Sequence, residues 1–211
     1  MTLSFSSKPS IIKNTSIIFK YRTMKPTTIK VIFLTFALAL INITAFAQKS
    51  YTLDNKTNFS VLGTSTLHDW EMTSASKTGN ANLTVTDSKV VDINSIIIDL
   101  AVETIKSGKS GMDKIAYETL NAKKFKTIKY VLKTATKVNE TTWNLTGTYT
   151  IAGVSKDLKT QIKVAVVNGV VNIQGSNKIT FDEFGMKAPT ALLGTIKTGK
   201  ELTIKFNLNY K

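Results

Sequence analysis

The 211 residues are 42% hydrophobic and contain no cysteine, which gives enough apolar material for one domain or two small ones and excludes disulfides, thiolate nucleophiles and cysteine-based metal sites. A cysteine-linked lipid anchor is excluded for the same reason, and with His68 as the sole histidine a multi-histidine centre is excluded too. Six basic and no acidic residues occupy 1–47, so the formal charge of +14 leaves 22 lysines against 14 acidic residues, about +8, in the remainder.

No arginine follows Arg22. Lysines without arginines suit diffuse attraction to anionic headgroups rather than bidentate phosphate or guanine readout, so an anionic membrane surface is a candidate partner and nucleic acid is not.

In chain order, residues 1–23 carry no strong pattern. Met24-Lys25 opens a basic stretch ending at Lys30, an apolar run extends from Val31 to Ile43, and Ala45-Phe46-Ala47 supplies a small-x-small cleavage site. That succession predicts a secretory signal peptide over 24–47, cleavage near Ala47, and a mature domain over 48–211 in the periplasm or the medium. The run is about 13 residues, and a spanning helix needs roughly 20. Met24 is the expected initiator and 1–23 an upstream extension.

From residue 48 the dominant period is two. Expected strands are Phe59–Gly63, Leu67–Ser76, Asn80–Thr86, Ile93–Glu103 and Ile128–Val138. Next, Trp143, Leu145, Gly147, Tyr149 and Ile151 alternate with Asn144 and a row of threonines. Leu158, Thr160, Ile162, Val164 and Val166 form the following apolar face. Asn168-Gly169 signals a hairpin into Val170–Phe181, and Leu202, Ile204, Phe206, Leu208 and Tyr210 close the series. Alternate side chains on a strand face opposite sides, so each segment is half buried.

One stretch breaks the rule. Between the strands, Asp113–Ala122 spaces Ile115, Ala116, Tyr117 and Leu120 as a short helix, with Asp113 as the candidate cap. Antiparallel strands of this kind bury their apolar faces by closing into a barrel or stacking as a sandwich, and the residues alone favour neither. The Thr- and Lys-rich outward faces argue against an outer-membrane barrel, whose lipid face is apolar.

Four stretches resemble the YceI-like family, exported lipocalin-like barrels associated with polyisoprenoid or other long-chain lipids. These are Gly63–Glu71 with its His68-Asp69-Trp70, Met112-Asp113-Lys114 followed by Leu120–Phe125, Leu145–Lys156, and Phe184-Gly185-Met186 with Pro189-Thr190-Ala191. The first stretch is similar to a His-Asp-Trp-containing subgroup. The chain departs at Lys126-Thr127, where many relatives have proline, and ligand contacts of the better-studied branch do not transfer by position. The resemblance implies an eight-stranded antiparallel barrel, with one inserted helix, around an elongated cavity.

The expected function is therefore binding, for transport or storage, of a polyisoprenoid or fatty-acyl lipid. No enzyme activity, cofactor or metal is expected. The candidate ligand-binding residues are Phe59, His68, Trp70, Tyr130, Trp143, Tyr149, Phe181 and Phe206. His68 and Asp69 face opposite sides of a strand, which argues against an Asp-oriented catalytic imidazole. Asp99 and Glu103, roughly 13 Å apart by strand rise, are too distant for paired-carboxylate hydrolysis. Lys123, Lys124 and Lys126 form an exposed basic run. A structural or protein-interaction barrel with a filled core is the competing class, a lipid-active enzyme ranks behind it, and a homodimer stays open.

Overall fold

The computed structural model describes residues 49–75 and 78–211, so the expected extension 1–23 and signal peptide 24–47 lie outside the described residues. The described residues form one curled antiparallel sheet of 11 strands with a single α-helix. The strands are β1 (Lys49–Thr52), β2 (Asn58–Ser65), β3 (Trp70–Ser74), β4 (Gly79–Thr86), β5 (Lys89–Ala101), β6 (Thr127–Lys137), β7 (Thr142–Ile151), β8 (Val154–Val167), β9 (Val170–Thr180), β10 (Thr190–Ala191) and β11 (Ile196–Tyr210), and helix α1 (Ser110–Thr119) lies between β5 and β6.

The spatial order is β1-β4-β5-β6-β7-β8-β9-β11-β2-β3, with β10 added to β11. Eight of these are long, the number expected; β1, β3 and β10 are short additions. Isolated bridges tie the sheet's edges: Leu53, just past β1, meets Tyr210, and Thr73 meets Lys106. Thr52 and Lys211 also exchange a pair of 3.0 Å backbone bonds.

The hairpins follow from turn chemistry. Ala152-Gly153 between β7 and β8, and Asn168-Gly169 between β8 and β9, both have positive φ at both residues, the conformation whose twist matches flanking strands. Register then carries the alternation across the sheet: Trp143 lies opposite Ile162, Gly147 opposite Leu158, and Phe206 opposite both Phe59 and Gly175.

Three expectations need correction. The strand expected at Leu67–Ser76 starts at Trp70 and is described to Ser74, with Ser76 outside the described residues. It starts late because Ser65–His68 is a turn, in which Ser65 Oγ donates to the His68 carbonyl (2.7 Å) and accepts from the Leu67 and His68 amides (3.2 Å each). Second, β5 ends at Ala101 and Val102–Thr104 forms a short 3₁₀ turn, so Glu103 is not on a strand with Asp99. Third, the helix starts three residues early. Asp113 does not cap it; its Oδ1 accepts from the Ser107 amide and hydroxyl, each at 2.7 Å. These bonds, with smaller help from Lys106, hold the Asp113 carboxyl below its ordinary value. The helix stops where Asn121 turns left-handed (φ 50°), as at many helix C-termini.

The inward faces gather into three apolar clusters. The largest contains Trp143, Leu145, Ile162, Ile173, Leu208 and Tyr210; the second Tyr149, Ile151, Ile179, Phe181 and Phe184. In the third, Met112 and Ala116 of α1 and the C-cap residue Leu120 lie against Met72, Leu100 and Ile105.

Candidate functional site

The interior is not solid. A cavity of about 1050 Å³ is lined by members of all three clusters. Buried Ile96, Leu145, Ile173 and Leu208 wall its inner part, and exposed Leu67, Leu192 and Leu193 stand at its mouth. Ligand pockets commonly measure about 300–1,000 Å³, so this one sits at the upper end.

Seven of the eight candidate residues line this cavity: Phe59, Trp70, Tyr130, Tyr149 and Phe206 from strands, Phe181 just past β9, and His68 from the turn before β3. Trp143 is not among them. It is buried in the solid part of the largest cluster, and Lys137 Nζ lies 5.7 Å from its ring centre. Its face is the expected one, but it sits at the far end of β7, where the core closes over it.

Glycines make room for the rings. Trp70 lies over Gly63, where an added Cβ would come within 2.2 Å of the indole, and the Trp70 Nε1 donates to the Thr64 carbonyl (3.0 Å). Tyr130 lies over Gly147 and meets Tyr149 edge-on, with ring centres 4.8 Å apart.

Two polar wall residues, Tyr149 and Thr160, share a partner that is not itself in the lining, Asn177. With its amide satisfied at both ends, Asn177 accepts from the Tyr149 hydroxyl (3.1 Å) and Thr160 Oγ1 (2.5 Å) and donates to the Ser176 and Lys159 carbonyls (3.1 Å each). Burial raises the pKa of Tyr149 and Tyr130, so both phenols are neutral at physiological pH.

Sequence reasoning missed Thr160 as a wall residue and Asn177 as the polar partner it shares with Tyr149. The signal was present in both, a polar side chain interrupting an apolar face. It also missed the α1 contribution of Met112 and Ile115 and the loop 189–194, which period-two reading cannot place.

His68 is exposed at the mouth, with Nδ1 2.6 Å from the Asp69 carbonyl, a contact that puts the ring proton on Nδ1. No Asp or Glu lines the cavity among the described residues, and no three metal-ligating side chains meet there. Asp99 and Glu103 instead face Lys129 (3.8 Å) and Lys126 (3.9 Å) on the solvated side. No helix of the described residues is long and apolar enough to cross a membrane.

With this geometry in view, a comparison with protein families matches a YceI-like domain to residues 51–210. The chain belongs to the YceI-like family. The match is to the family as a whole and spans β1 to β11. Solved YceI-like structures share the fold. Burkholderia cenocepacia BcnA superposes with a TM-score of 0.62 at 17% identity, covering 74% of this chain and 98% of BcnA. A polyisoprenoid binding domain from Saccharophagus degradans, implicated in plant cell wall breakdown, gives 0.59 at 11% identity, covering 78% and 99%. The Campylobacter jejuni YCEI protein gives 0.52 at 17%, covering 62% and 79%. Among curated proteins, none matches.

Proposed function

We propose that this YceI-like protein is an exported, non-enzymatic binder of a single long-chain lipid, polyisoprenoid or fatty-acyl, which it carries or stores in the periplasm or the medium. The observation that carries the reading is the cavity of about 1050 Å³ walled by apolar side chains. Phe59, Trp70, Tyr130, Tyr149, Phe181 and Phe206 supply ring surface to the tail, and His68 stands at the entrance. Support for the ligand class comes from the Saccharophagus degradans relative, a polyisoprenoid binding domain of the same fold.

Each methylene taken from water into the cavity contributes about 0.8 kcal/mol, so affinity should rise roughly four-fold per added methylene until the tail outgrows the space. A binding role fits the wall chemistry: neutral phenols and an internally satisfied Asn177 offer orientation but no nucleophile–base pair.

The test is to purify the protein from its own host, extract it with organic solvent and analyse the extract by mass spectrometry. A long-chain lipid in near-stoichiometric amount is expected. No lipid in the extract, together with no chain-length dependence when a fatty-acid series displaces a fluorescent acyl probe, would refute the reading.

A further inference from the structure

We propose that the cavity mouth is a docking surface for an anionic lipid bilayer, with Leu67, Leu192 and Leu193 entering the membrane interface. The inference goes beyond the binding reading, because it concerns the rim and not the contents.

The exposed large apolar side chains of the described residues are three leucines and three valines. All three leucines line the mouth: Leu67 is 66%, Leu192 72% and Leu193 109% exposed. Every other leucine of the described residues is buried or half-buried. Leucines gathered at one opening and left in water form a patch with a purpose, unlike apolar residues scattered singly.

The backbone reinforces this. Leu192 and Leu193 have φ of 49° and 55°, followed by Gly194 at 89°. Two consecutive left-handed residues are readily supplied by Asn and Gly, whereas leucine adopts that conformation at a cost. The turn is built nonetheless, closed by Gly194 N–H to the Ala191 carbonyl and Thr195 N–H to the Leu192 carbonyl, both 3.1 Å.

The two leucine-bearing loops are cross-linked. The Thr66 amide donates to the Lys197 carbonyl (3.0 Å), and the Lys197 amide donates to Thr66 Oγ1 (3.2 Å). Leu67 and the Leu192-Leu193 tip are therefore held as one rim around the opening.

Charge identifies the occupant. Lys109 lines the mouth, and Lys187 and Lys197 flank the loop that carries Leu192 and Leu193 with no acidic residue between the two in sequence. Asp69, two residues past Leu67, is the one acidic residue in the Thr66–Asp69 segment. The carboxylate nearest Lys109 in sequence, Asp113, is engaged by Ser107 and Lys106. A two-fold copy of the chain would bring these lysines face to face, whereas an anionic bilayer offers them phosphate and the leucines hydrocarbon. Docked this way, the cavity opens onto the acyl region and a tail passes between them without crossing water.

The chain has no cysteine, so Leu193→Cys carries a single polarity-sensitive fluorophore, with Val167→Cys on β8 as the control position. Phosphatidylcholine vesicles, with and without phosphatidylglycerol, are the probe. The expected result is a blue shift at position 193 on phosphatidylglycerol vesicles, weakened by salt, and none at position 167. In flotation, Leu67→Ser/Leu192→Ser/Leu193→Ser should lower the partition coefficient about ten-fold with an unchanged circular dichroism spectrum.

An unresponsive probe at 193, equal responses at 193 and 167, or wild-type flotation of the triple variant would overturn the proposal. So would a dimer in sedimentation that the triple variant dissolves while the wild type binds no vesicle. Lipid extraction from the same preparations reads the cavity separately: an empty cavity with normal docking would sink the ligand reading and leave this one standing.

Discussion

Gly147 is the sharpest probe of how the cavity wall is built. It lies in β7 opposite Leu132 and Leu158, and a Cβ placed there would sit 2.3 Å from Tyr130 Cε2 and 2.5 Å from its Cζ and Oη. To reach an ordinary carbon–carbon contact of about 3.5 Å from that 2.3 Å, the ring must move by about 1.2 Å. It is already held edge-on to Tyr149, a contact of this type contributing about 0.5–1.5 kcal/mol. Forcing a core side chain aside costs about 1–3 kcal/mol, against which alanine gains about 0.4–1 kcal/mol by narrowing the unfolded ensemble. Gly147→Ala should therefore destabilise by roughly 0.5–4 kcal/mol, the repacking cost and the lost ring contact less the unfolded-state gain, read as a lower urea midpoint at unchanged slope, or a fall in Tm of about 2–4 °C per kcal/mol. In a Tyr130→Val background the obstacle is gone, and the same substitution should stabilise by about 0.4–1 kcal/mol. Equal destabilisation in both backgrounds, or none in the wild type, would refute the packing argument.

Three further outcomes follow from the wall and its supports. Thr160→Val removes a hydroxyl that Asn177 accepts and is expected to cost about 1–3 kcal/mol in urea unfolding, with Thr160→Ser retaining most of the stability. Because the Asp113 carboxyl is held below its ordinary value, its stabilisation is complete at neutral pH and is lost as pH falls through the carboxylate range; Asp113→Asn should flatten that acid limb of the stability–pH curve. Burial raises Tyr130, Tyr149 and Tyr210 above 10.0, so stability is fully present below pH 10 and falls as pH rises further, when the unfolded phenols ionise first; in NMR of ring-labelled tyrosine the signals assigned to these three should stay unionised until the protein unfolds, and ionisation of any of them in the folded state would contradict it.

Two features of the fold separate what is local from what is not. Alternation puts Trp143 and Tyr149 on the same face of one strand, and they do share it, yet one is buried in the core and the other lines the cavity. Alternation tells which side a residue faces and says nothing about how far along the hollow it lies. The turn at Ser65–His68 was invisible for a related reason: its residues suit a strand, and only the Ser65 hydroxyl bonds fold them back.

The sequence by itself determined the all-β character, the inserted helix, the Asn168-Gly169 hairpin and the inward face of β7, β8 and β11. Each depends on neighbours within a few residues: side-chain period and turn propensity. Tertiary structure alone decided that the sheet curls until Leu53 reaches Tyr210, that Asn177 meets Thr160 and Tyr149, and that a cavity survives with three leucines at its mouth. Those outcomes arise from accumulated strand twist and from the summed volume of side chains contributed by distant strands, quantities that no local stretch of sequence contains.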